Sequence, residues 1–306
     1  MIKSKNFSLL LRKEYAGRTL VMLCGISIVL LTVLIGIFLT VRGIGTFTKY
    51  NHSISEFLFS SEWKPVDHPT EGGGQIGSAV YIFGSLVTCA LALLIATPFS
   101  IAAAVFMSDI SPKFGAKIVQ PALEIFVGIP SIVYGWVGLT VLVPFIRDHM
   151  NAPMGGYSVL AAGIVLAVMI FPTITTVATD AFRNVPMSYR SAAFALGSTR
   201  WQVIKNVVVP AAKPGILTGI ILGLSRAFGE ALAVAMVLGR SRVFPQSILH
   251  PTSNLTAAIA SDMGNATVGG ELESALWTMA LLLFLISIFF IFIIQVIAKK
   301  SEVKYT

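Results

Sequence analysis

The chain carries the stretch DAFRNVPMSYRSAAFALGSTRWQVIKNVVVP at residues 180–210 and PGILTGIILGLSRAFGEALAVAMVL at residues 214–238. The first part is the longest polar, basic segment that lies between two strongly apolar runs. The second part contains only two charged side chains, Arg226 and Glu230. A polar segment that passes directly into an apolar run of this length predicts a chain that enters a lipid bilayer.

The composition of the whole chain agrees with a membrane protein. Of its 306 residues, 55% are hydrophobic and 12% are charged, whereas soluble proteins carry about 25% charged residues. Cys24 and Cys89 both fall inside apolar runs, which argues against a disulfide framework. The sequence has no GxxxxGKS/T phosphate loop and no histidines at metal-ligand spacing. We therefore expect no ATP site, no metal and no cofactor in this chain.

Six apolar runs are long enough to cross a membrane. The first has 22 residues without a charge, which is enough for a hydrocarbon core of about 30 Å. It is longer than the apolar core of a secretory signal, which has about 7–15 residues. The sequence therefore predicts an all-α polytopic membrane protein with six transmembrane helices, at about residues 20–41, 80–107, 118–145, 158–179, 214–238 and 275–298.

The distribution of positive charge predicts the orientation. Of the 22 Lys and Arg residues, 15 fall in the N-terminus, the loop after the second run, residues 180–213 and the C-terminus. By the positive-inside rule, residues 1–19 and 299–306 are cytoplasmic tails, and residues 42–77 form an external loop with a hinge at Gly72-Gly73-Gly74. The positive charge is spread over four short pieces, so it reflects topology and does not predict nucleic-acid binding.

The basic segment predicts a hairpin of two helices. Pro186 suits the first turn of a helix, and Gly197 suits a left-handed terminator. Thr199 with Gln202 predicts a capping box that begins a second helix, and we expect Pro210 to end it. The first helix bears residues at helical spacing that could enter a groove on a partner: Tyr189, Ala192, Ala193 and Leu196. The alternative is a hairpin that lies flat on the membrane.

The fifth run places two charges where hydrocarbon is expected. A charge at the bilayer centre costs about 2.5–3.5 kcal/mol, so both side chains require an explanation. At about 100° per residue, they lie on one stripe with three glycines, at positions 215, 219 and 223, and this stripe should face protein. Two interpretations stay open. Arg226 and Glu230 form an i, i+4 pair that clamps two helices, or the guanidinium meets an anion in transit.

The second and third runs contain interruptions. Thr97-Pro98 interrupts the second run, and Gly128-Ile129-Pro130 interrupts the third. Freed backbone in a membrane is tolerated where it lines a cavity or is buried in protein. Ser131 and Tyr134 are therefore candidate lining residues, with a packing kink as the alternative.

Two features elsewhere have both a functional and a structural interpretation. Glu124, in the third run, either lies in a pathway or is solvated at the cytoplasmic interface. In the last external loop, a helical stripe forms either a docking surface or a buried contact. It consists of Leu255, Ala258, Ile259 and Met263.

Several motifs resemble a known family. Ser191-Ala192-Ala193, Gly197 and Val207-x-Val209-Pro210 resemble the EAA loop of ABC-importer permeases, with Ser191 where that family usually has glutamate. Further stretches are similar to the PstC-type permease of the bacterial phosphate importer: GIPSIVYG at 128–135, LSRAFGE at 224–230, AVAMVLG at 233–239 and LTA at 255–257. The similarity extends from Trp63 to the last apolar run.

This resemblance implies a type I ABC importer permease fold, with a permease core at residues 78–298 and a coupling loop at residues 180–212. It implies a transport subunit, not an enzyme, that forms half of a pathway for inorganic phosphate in the bacterial cell membrane. The expected pathway residues are Arg226, Glu230, Ser131, Tyr134 and Glu124. The expected contacts with the ATPase are Tyr189, Arg190, Ala192, Ala193, Leu196 and Gly197.

The resemblance also implies partners. These are a second permease of the PstA type, cytoplasmic ATPase subunits and an extracytoplasmic phosphate-binding protein, in contact with membrane lipid and without nucleic acid. Two alternatives stay open at this point: a permease for another oxyanion such as molybdate or sulfate, and a channel or carrier that works without an ATPase.

Overall fold

A computed structural model of the chain describes residues 3–68 and 72–301. Residues 302–306 of the predicted C-terminal tail lie outside the described residues. The helices of the first half are α1 (Lys3–Gly43), α2 (Gly45–Thr48), α3 (Ile54–Phe59), α4 (Ala79–Val105), α5 (Pro112–Phe114), α6 (Gln120–Gly128), α7 (Ser131–Val137) and α8 (Val143–Met150). Those of the second half are α9 (Val159–Arg183), α10 (Met187–Ala195), α11 (Arg200–Val203), α12 (Val209–Gly229), α13 (Leu232–Leu238), α14 (Leu255–Asp262) and α15 (Glu271–Ser301).

Short irregular turns and one small sheet complete the described secondary structure. π-Helical turns cover Phe106–Ile110, Gly115–Val119, Gly138–Leu142 and Ile204–Val208, and 3₁₀ turns cover Met154–Gly156 and Met263–Asn265. The antiparallel strands β1 (Trp63–Lys64) and β2 (Gln75–Ile76) pair Trp63 with Ile76.

The prediction of an all-α protein with six transmembrane helices is confirmed. Within the described residues, six helical stretches are long and apolar enough to cross a membrane: Gly17–Thr48, Ala79–Ile110, Ser131–Met150, Met154–Arg183, Arg200–Gly229 and Glu271–Ile297. The first belongs to α1, which already begins at Lys3, so most of the predicted N-terminal tail is helical.

Two of the predicted interruptions have different outcomes. The expected break at Pro130 is present, because α6 ends at Gly128 and α7 begins at Ser131. The expected interruption at Pro98 is wrong, because α4 continues through this residue as one α-helix. Proline is tolerated inside a transmembrane helix where neighbouring helices support the backbone, and α4 makes its most extensive contacts with α9.

The fifth span is not the single helix that the sequence predicts. Glu230 has an extended backbone (φ −79°, ψ 119°), so α12 ends at Gly229 and α13 begins at Leu232. At the other end, Pro210 does not terminate a helix, which corrects a second expectation. The π-helical turn Ile204–Val208 joins α11 to α12, and Pro210 lies in the first turn of α12, where its missing N–H costs little.

The centre of the molecule is α9, which packs against α4 and α12. The predicted glycine stripe of α12 makes the second of these contacts. A β-carbon at Gly219 would lie 3.2 Å from the Ile174 carbonyl oxygen, and one at Gly223 would lie 2.7 Å from the Ile174 side chain. Small residues allow this close approach of two helices. The stripe therefore faces protein, as the sequence predicts.

The two ends of the helix bundle differ in structure. One end, here called the hairpin side, carries α10 and α11. The opposite end, here called the loop side, carries the loops at 49–78 and 239–270. The helices α1 and α15 pack against each other, and α1 exposes apolar side chains along its described length, as expected for a surface that contacts lipid.

A buried carboxylate organises the loop side. The Glu271 side chain is 0% exposed and lies 2.7 Å from Nε2 of His52. Its oxygens also accept hydrogen bonds from the backbone N–H groups of Val66 at 2.6 Å, Gly73 at 3.0 Å and Gly74 at 3.2 Å. Two of the three glycines predicted to form a hinge, Gly73 and Gly74, instead donate to this carboxylate. These bonds tie the described residues 49–68 and 72–78 to the start of α15.

Candidate functional site

The breaks in the third and fifth spans face each other. On the loop side of the breaks, α7 packs directly against α13. A β-carbon at Gly135 would lie 2.7 Å from Cα of Ala233 and 2.9 Å from Sδ of Met236. Because Gly135 has no side chain, the two half-helices approach at backbone distance. The half-helices α7 and α13 therefore form one packed unit beyond the two breaks.

Arg226 lies in the last turn of α12, just before the second break. It is partly buried, and its Nη1 donates to Oγ1 of Thr173 on α9 at 3.2 Å. Among the described residues, no carboxylate forms an ion pair with Arg226. A membrane-embedded guanidinium therefore has only a neutral hydrogen-bond partner and keeps donors free for an anion.

Glu230 does not pair with Arg226 in this structure, although their spacing allows a pair on a continuous helix. The helix ends between them, and Oε1 of Glu230 accepts a hydrogen bond from the backbone N–H of Ala233 at 3.1 Å. The carboxylate thus caps the first turn of α13, where a negative charge interacts favourably with the helix dipole. The clamp that the i, i+4 spacing allows is absent from this conformation.

Side chains satisfy the carbonyl groups next to both breaks. The Tyr134 hydroxyl donates to the Phe126 carbonyl across the first break at 2.7 Å. The Thr256 hydroxyl, from α14, donates to the Glu230 carbonyl at 2.8 Å. In a membrane, unpaired backbone groups cost several kcal/mol, so these two bonds stabilise the breaks. Tyr134, predicted as a lining residue, uses its hydroxyl in this way.

The other two predicted pathway residues are less closely connected to Arg226. Ser131 is partly buried and lies in the first turn of α7. Glu124 is exposed on α6 and accepts a hydrogen bond from Nε2 of Gln120 at 3.1 Å. A groove of about 530 Å³ runs along the third span, but its lining is almost entirely apolar and includes neither charge of the fifth span. It is not suited to an anion.

The hairpin has the geometry that the sequence predicts. Gly197 follows α10 in a left-handed conformation (φ +78°). The side chains and backbone of Thr199 and Gln202 form a reciprocal capping box at the start of α11. Leu196, at the tip, is 88% exposed and Ala192 is also exposed, whereas Ala193 is buried in the hairpin's own core. The outward face therefore presents Ala192 and Leu196 to a partner.

Two arginines anchor the hairpin to the end of the second span. Arg190 forms an ion pair with Asp109 and donates to the Phe182 carbonyl at 2.8 Å. Arg200 donates to the backbone carbonyls of Asp109 and Ile110. Burial lowers the pKa of Arg190, and its guanidinium is engaged inside the protein. In this conformation Arg190, predicted to contact a partner, holds the hairpin in place.

Thr173, Thr256 and Asp109 contact the predicted site residues but were missed in the sequence. Thr256 lies in the LTA stretch at 255–257, but nothing in the local sequence assigns a contact to any of the three. Thr173 is one of several threonines in the fourth apolar run, Thr256 lies between the fifth and sixth runs, and Asp109 follows the second run. Only their contacts across the fold connect them to Arg226, Glu230 and Arg190.

Six helices able to span a membrane within the described residues, two broken spans with Arg226 beside one break, and an anchored hairpin with an exposed tip fit a membrane permease. The sequence profile of the family described as "Binding-protein-dependent transport system inner membrane component" matches residues 96–303. The chain belongs to this family.

Related proteins and solved structures agree with this assignment. The chain is 44% identical to the probable ABC transporter permease protein YqgH of Bacillus subtilis (strain 168), over 95% of this chain and 92% of that protein. It is 37% identical to the phosphate transport system permease protein PstC of Xylella fastidiosa (strain 9a5c), over 79% of this chain and 77% of that protein. It also resembles a chain of a bacterial alginate ABC transporter in complex with its substrate-bound periplasmic protein, with a TM-score of 0.57 and 17% identity over 89% and 91% of the two chains.

The fold is therefore that of a type I ABC importer permease, and the chain is a multi-pass membrane protein. Membership of this family means that the chain is a transport subunit without catalytic activity of its own, since ATP hydrolysis occurs in a separate subunit. It also means that the chain works with another permease, an ATPase and a substrate-binding protein.

Proposed function

We propose that this chain forms half of the translocation pathway of an ATP-driven importer of inorganic phosphate, and that Arg226 binds the phosphate in transit. The observation that carries this proposal is the state of Arg226: a partly buried guanidinium in a membrane span, with a neutral hydroxyl as its partner. A guanidinium presents a planar set of donors that matches phosphate oxygens. The similarity to proteins named phosphate permeases supports the choice of anion.

The carboxylate of Glu230 has a second role in this proposal. It lies on the other side of the break from Arg226 and caps α13. A negative charge near the site weakens the hold of the arginine on an anion, so that the anion can leave toward the cytoplasm. Ser131, Tyr134 and Glu124 complete the proposed pathway residues.

The proposed coupling and orientation follow from the hairpin. We place it, with both termini, on the cytoplasmic side of the bacterial cell membrane, where the basic segments should lie. The exposed tip at Leu196 and Gly197 enters the ATPase, together with Tyr189 and Ala192. Arg190 transmits the movement through Asp109 to the second span, and Ala193 supports the helix from within. The second permease is of the PstA type, and the binding protein delivers phosphate to the loop side.

Competition between oxyanions tests the substrate. Cells whose only phosphate importer contains this permease are given radiolabelled phosphate with a hundredfold excess of unlabelled phosphate, sulfate or molybdate. We expect only unlabelled phosphate to reduce uptake. Equal competition by sulfate or molybdate, or uptake that persists when the ATPase subunit is deleted, would contradict the proposal.

A further inference from the structure

The segment Pro251–Ala258 comprises the end of the loop before α14 and the first turn of α14, and it is unusual because it is entirely buried. Every residue in it is buried, and Thr252 and Leu255 are 0% exposed. Loops ordinarily run over the surface, because buried loop backbone must find hydrogen-bond partners inside the protein. This segment, here called the buried segment, finds such partners on three different elements.

Two of these partners hold the buried segment at its sides. On α4, Gly84 allows the Ser253 carbonyl to lie directly on the helix backbone, and Oγ of Ser85 accepts a hydrogen bond from the Leu255 N–H at 3.0 Å. After α13, the Thr252 N–H donates to the Leu238 carbonyl at 3.2 Å. The buried segment is therefore wedged between α4 and the end of α13.

The third partner is the break in the fifth span. Oγ1 of Thr256 donates to the Glu230 carbonyl at 2.8 Å, and Thr256 is 7% exposed. The Glu230 carbonyl points away from any helical partner because the residue has an extended backbone. The Thr256 hydroxyl thus replaces the bond that a continuous helix would supply, and it stabilises the extended conformation of Glu230.

This contact determines where the Glu230 carboxylate lies. On a continuous helix, the carboxylate would be on the same face as Arg226, one turn away. In the extended conformation it caps α13 through Ala233 instead. The hydroxyl of Thr256 therefore favours the conformation in which Glu230 and Arg226 are apart.

We propose that Thr256 is a positioning residue for Glu230, and that the buried segment transmits changes on the external surface to the break beside Arg226. When the external loop is displaced, the Thr256 bond is lost and Glu230 is released. In this proposal, the Thr256 bond is present in the resting transporter and keeps its rate of ATP hydrolysis low. This inference rests on the proposed function, because it gives Glu230 a place in the pathway.

The experiment uses the complete complex, with both permeases, the ATPase and the binding protein, in proteoliposomes. ATP hydrolysis is measured with and without the substrate-loaded binding protein. For Thr256→Val, which keeps the shape but loses the donor, we expect a two- to tenfold rise in the rate without binding protein. One hydrogen bond of about 0.5–1.5 kcal/mol accounts for this range. The ratio of stimulated to unstimulated hydrolysis should fall accordingly.

Two variants serve as controls. Thr256→Ser keeps the donor and should retain the parental ratio. Thr252→Val removes a hydroxyl that donates to the Val243 carbonyl at 3.0 Å, within the same loop. It leaves the hydrogen bonds of the buried segment to Ser85, Leu238 and Glu230 in place, so it should also retain that ratio. The proposal would be overturned if Thr256→Val kept the parental ratio. It would also be overturned if Thr256→Ser or Thr252→Val lowered the ratio as much as Thr256→Val does.

Ser85→Ala provides an independent test if Thr256→Val does not accumulate in the membrane. It removes the acceptor of the Leu255 N–H and loosens the buried segment while both Thr256 and Glu230 are present. A raised unstimulated rate supports the proposal and a parental rate contradicts it. The hydrolysis assay uses the cognate binding protein with its own substrate, so it does not depend on that substrate being phosphate. If the parental complex failed to take up phosphate, only the proposed function would be contradicted.

Discussion

At the scale of single residues, the decisive feature is the separation of Arg226 from Glu230. Each side chain has its own partner, Thr173 for the arginine and the Ala233 N–H for the glutamate. A buried ion pair can be replaced by apolar residues at little cost, whereas an unpaired buried charge is expensive. We propose that an anionic ligand is the partner of the Arg226 guanidinium, and the following variants test this proposal.

Replacing both charges should not restore transport. We expect Arg226→Met to lower phosphate uptake by about ten- to hundredfold, the effect of losing hydrogen bonds to a charged group worth about 1.5–3 kcal/mol. The double variant Arg226→Met/Glu230→Met should be equally defective. Arg226→Lys should also reduce uptake, because it keeps the charge and loses the planar fork. The measurement is radiolabelled uptake, normalised to the amount of protein in the membrane.

A clamp predicts the opposite result for the double variant. If Arg226 and Glu230 only stabilised each other, removing both would return uptake to the parental level. Recovery of that kind would end the role of Arg226 in the pathway. A double variant that is inactive but present in the membrane at parental amounts would support it.

At the scale of elements, the half-helices α7 and α13 pack directly against each other beyond the two breaks. Gly135 makes this contact possible, because its missing side chain leaves space only for the Ala233 backbone. Interiors packed this tightly tolerate added atoms poorly, and overpacking costs about 1–3 kcal/mol.

Gly135→Ala should therefore separate the two half-helices. We expect a lower unfolding temperature of the purified complex and slower phosphate uptake. Gly128→Ala is a matched control, because a β-carbon there meets nothing within 4 Å although the residue lies at the first break. Equal unfolding temperatures for the two variants would show that the close contact is unimportant.

The hairpin is the second element with a testable role. Gly197→Leu places a side chain on a left-handed backbone, at a cost of about 1–2 kcal/mol, and should tilt α10 relative to the ATPase. We expect assembled complexes in which the binding protein no longer stimulates ATP hydrolysis. Gly269→Leu imposes the same strain on the loop side, because Gly269 has φ +76° and equally open surroundings. It should leave stimulation intact; parental stimulation in Gly197→Leu would contradict the coupling role.

At the scale of the whole molecule, the two sides have different tasks. The loop side is held together by the buried Glu271 carboxylate and the buried segment, and the hairpin side by the ion pair of Arg190 with Asp109. We expect the hairpin side to be cytoplasmic. In a background of Cys24→Ser and Cys89→Ser, Val268→Cys should react with an impermeant thiol reagent in intact cells, because Val268 is 84% exposed on the loop side.

The same background tests the other side. Ser301→Cys should react only after the membrane is permeabilised. Labelling of this residue from outside intact cells would overturn the orientation, since six spans require both ends of the chain to lie on one side.

The amino-acid sequence by itself determined the class, the number of spans and the hairpin. Long apolar runs, the capping box at Thr199 and the glycine at position 197 act through local chemistry, so their outcome can be read from neighbouring residues. The break at Pro130 belongs to this group as well, because Gly128 and Pro130 both disfavour a helix within three consecutive residues.

Only the tertiary structure decided what happens at Pro98, Pro210 and Glu230. Helix packing carries α4 through Pro98, and a π-helical turn carries the fifth span past Pro210. The fifth span breaks after Gly229, although Gly215, Gly219 and Gly223 lie in the same helix without ending it. At Glu230 the physical reason is that a group distant in the sequence stabilises the extended backbone conformation over the helical one. The hydroxyl of Thr256, 26 positions along the chain, supplies the hydrogen bond that the broken helix lacks, and no pattern within one helix can reveal it.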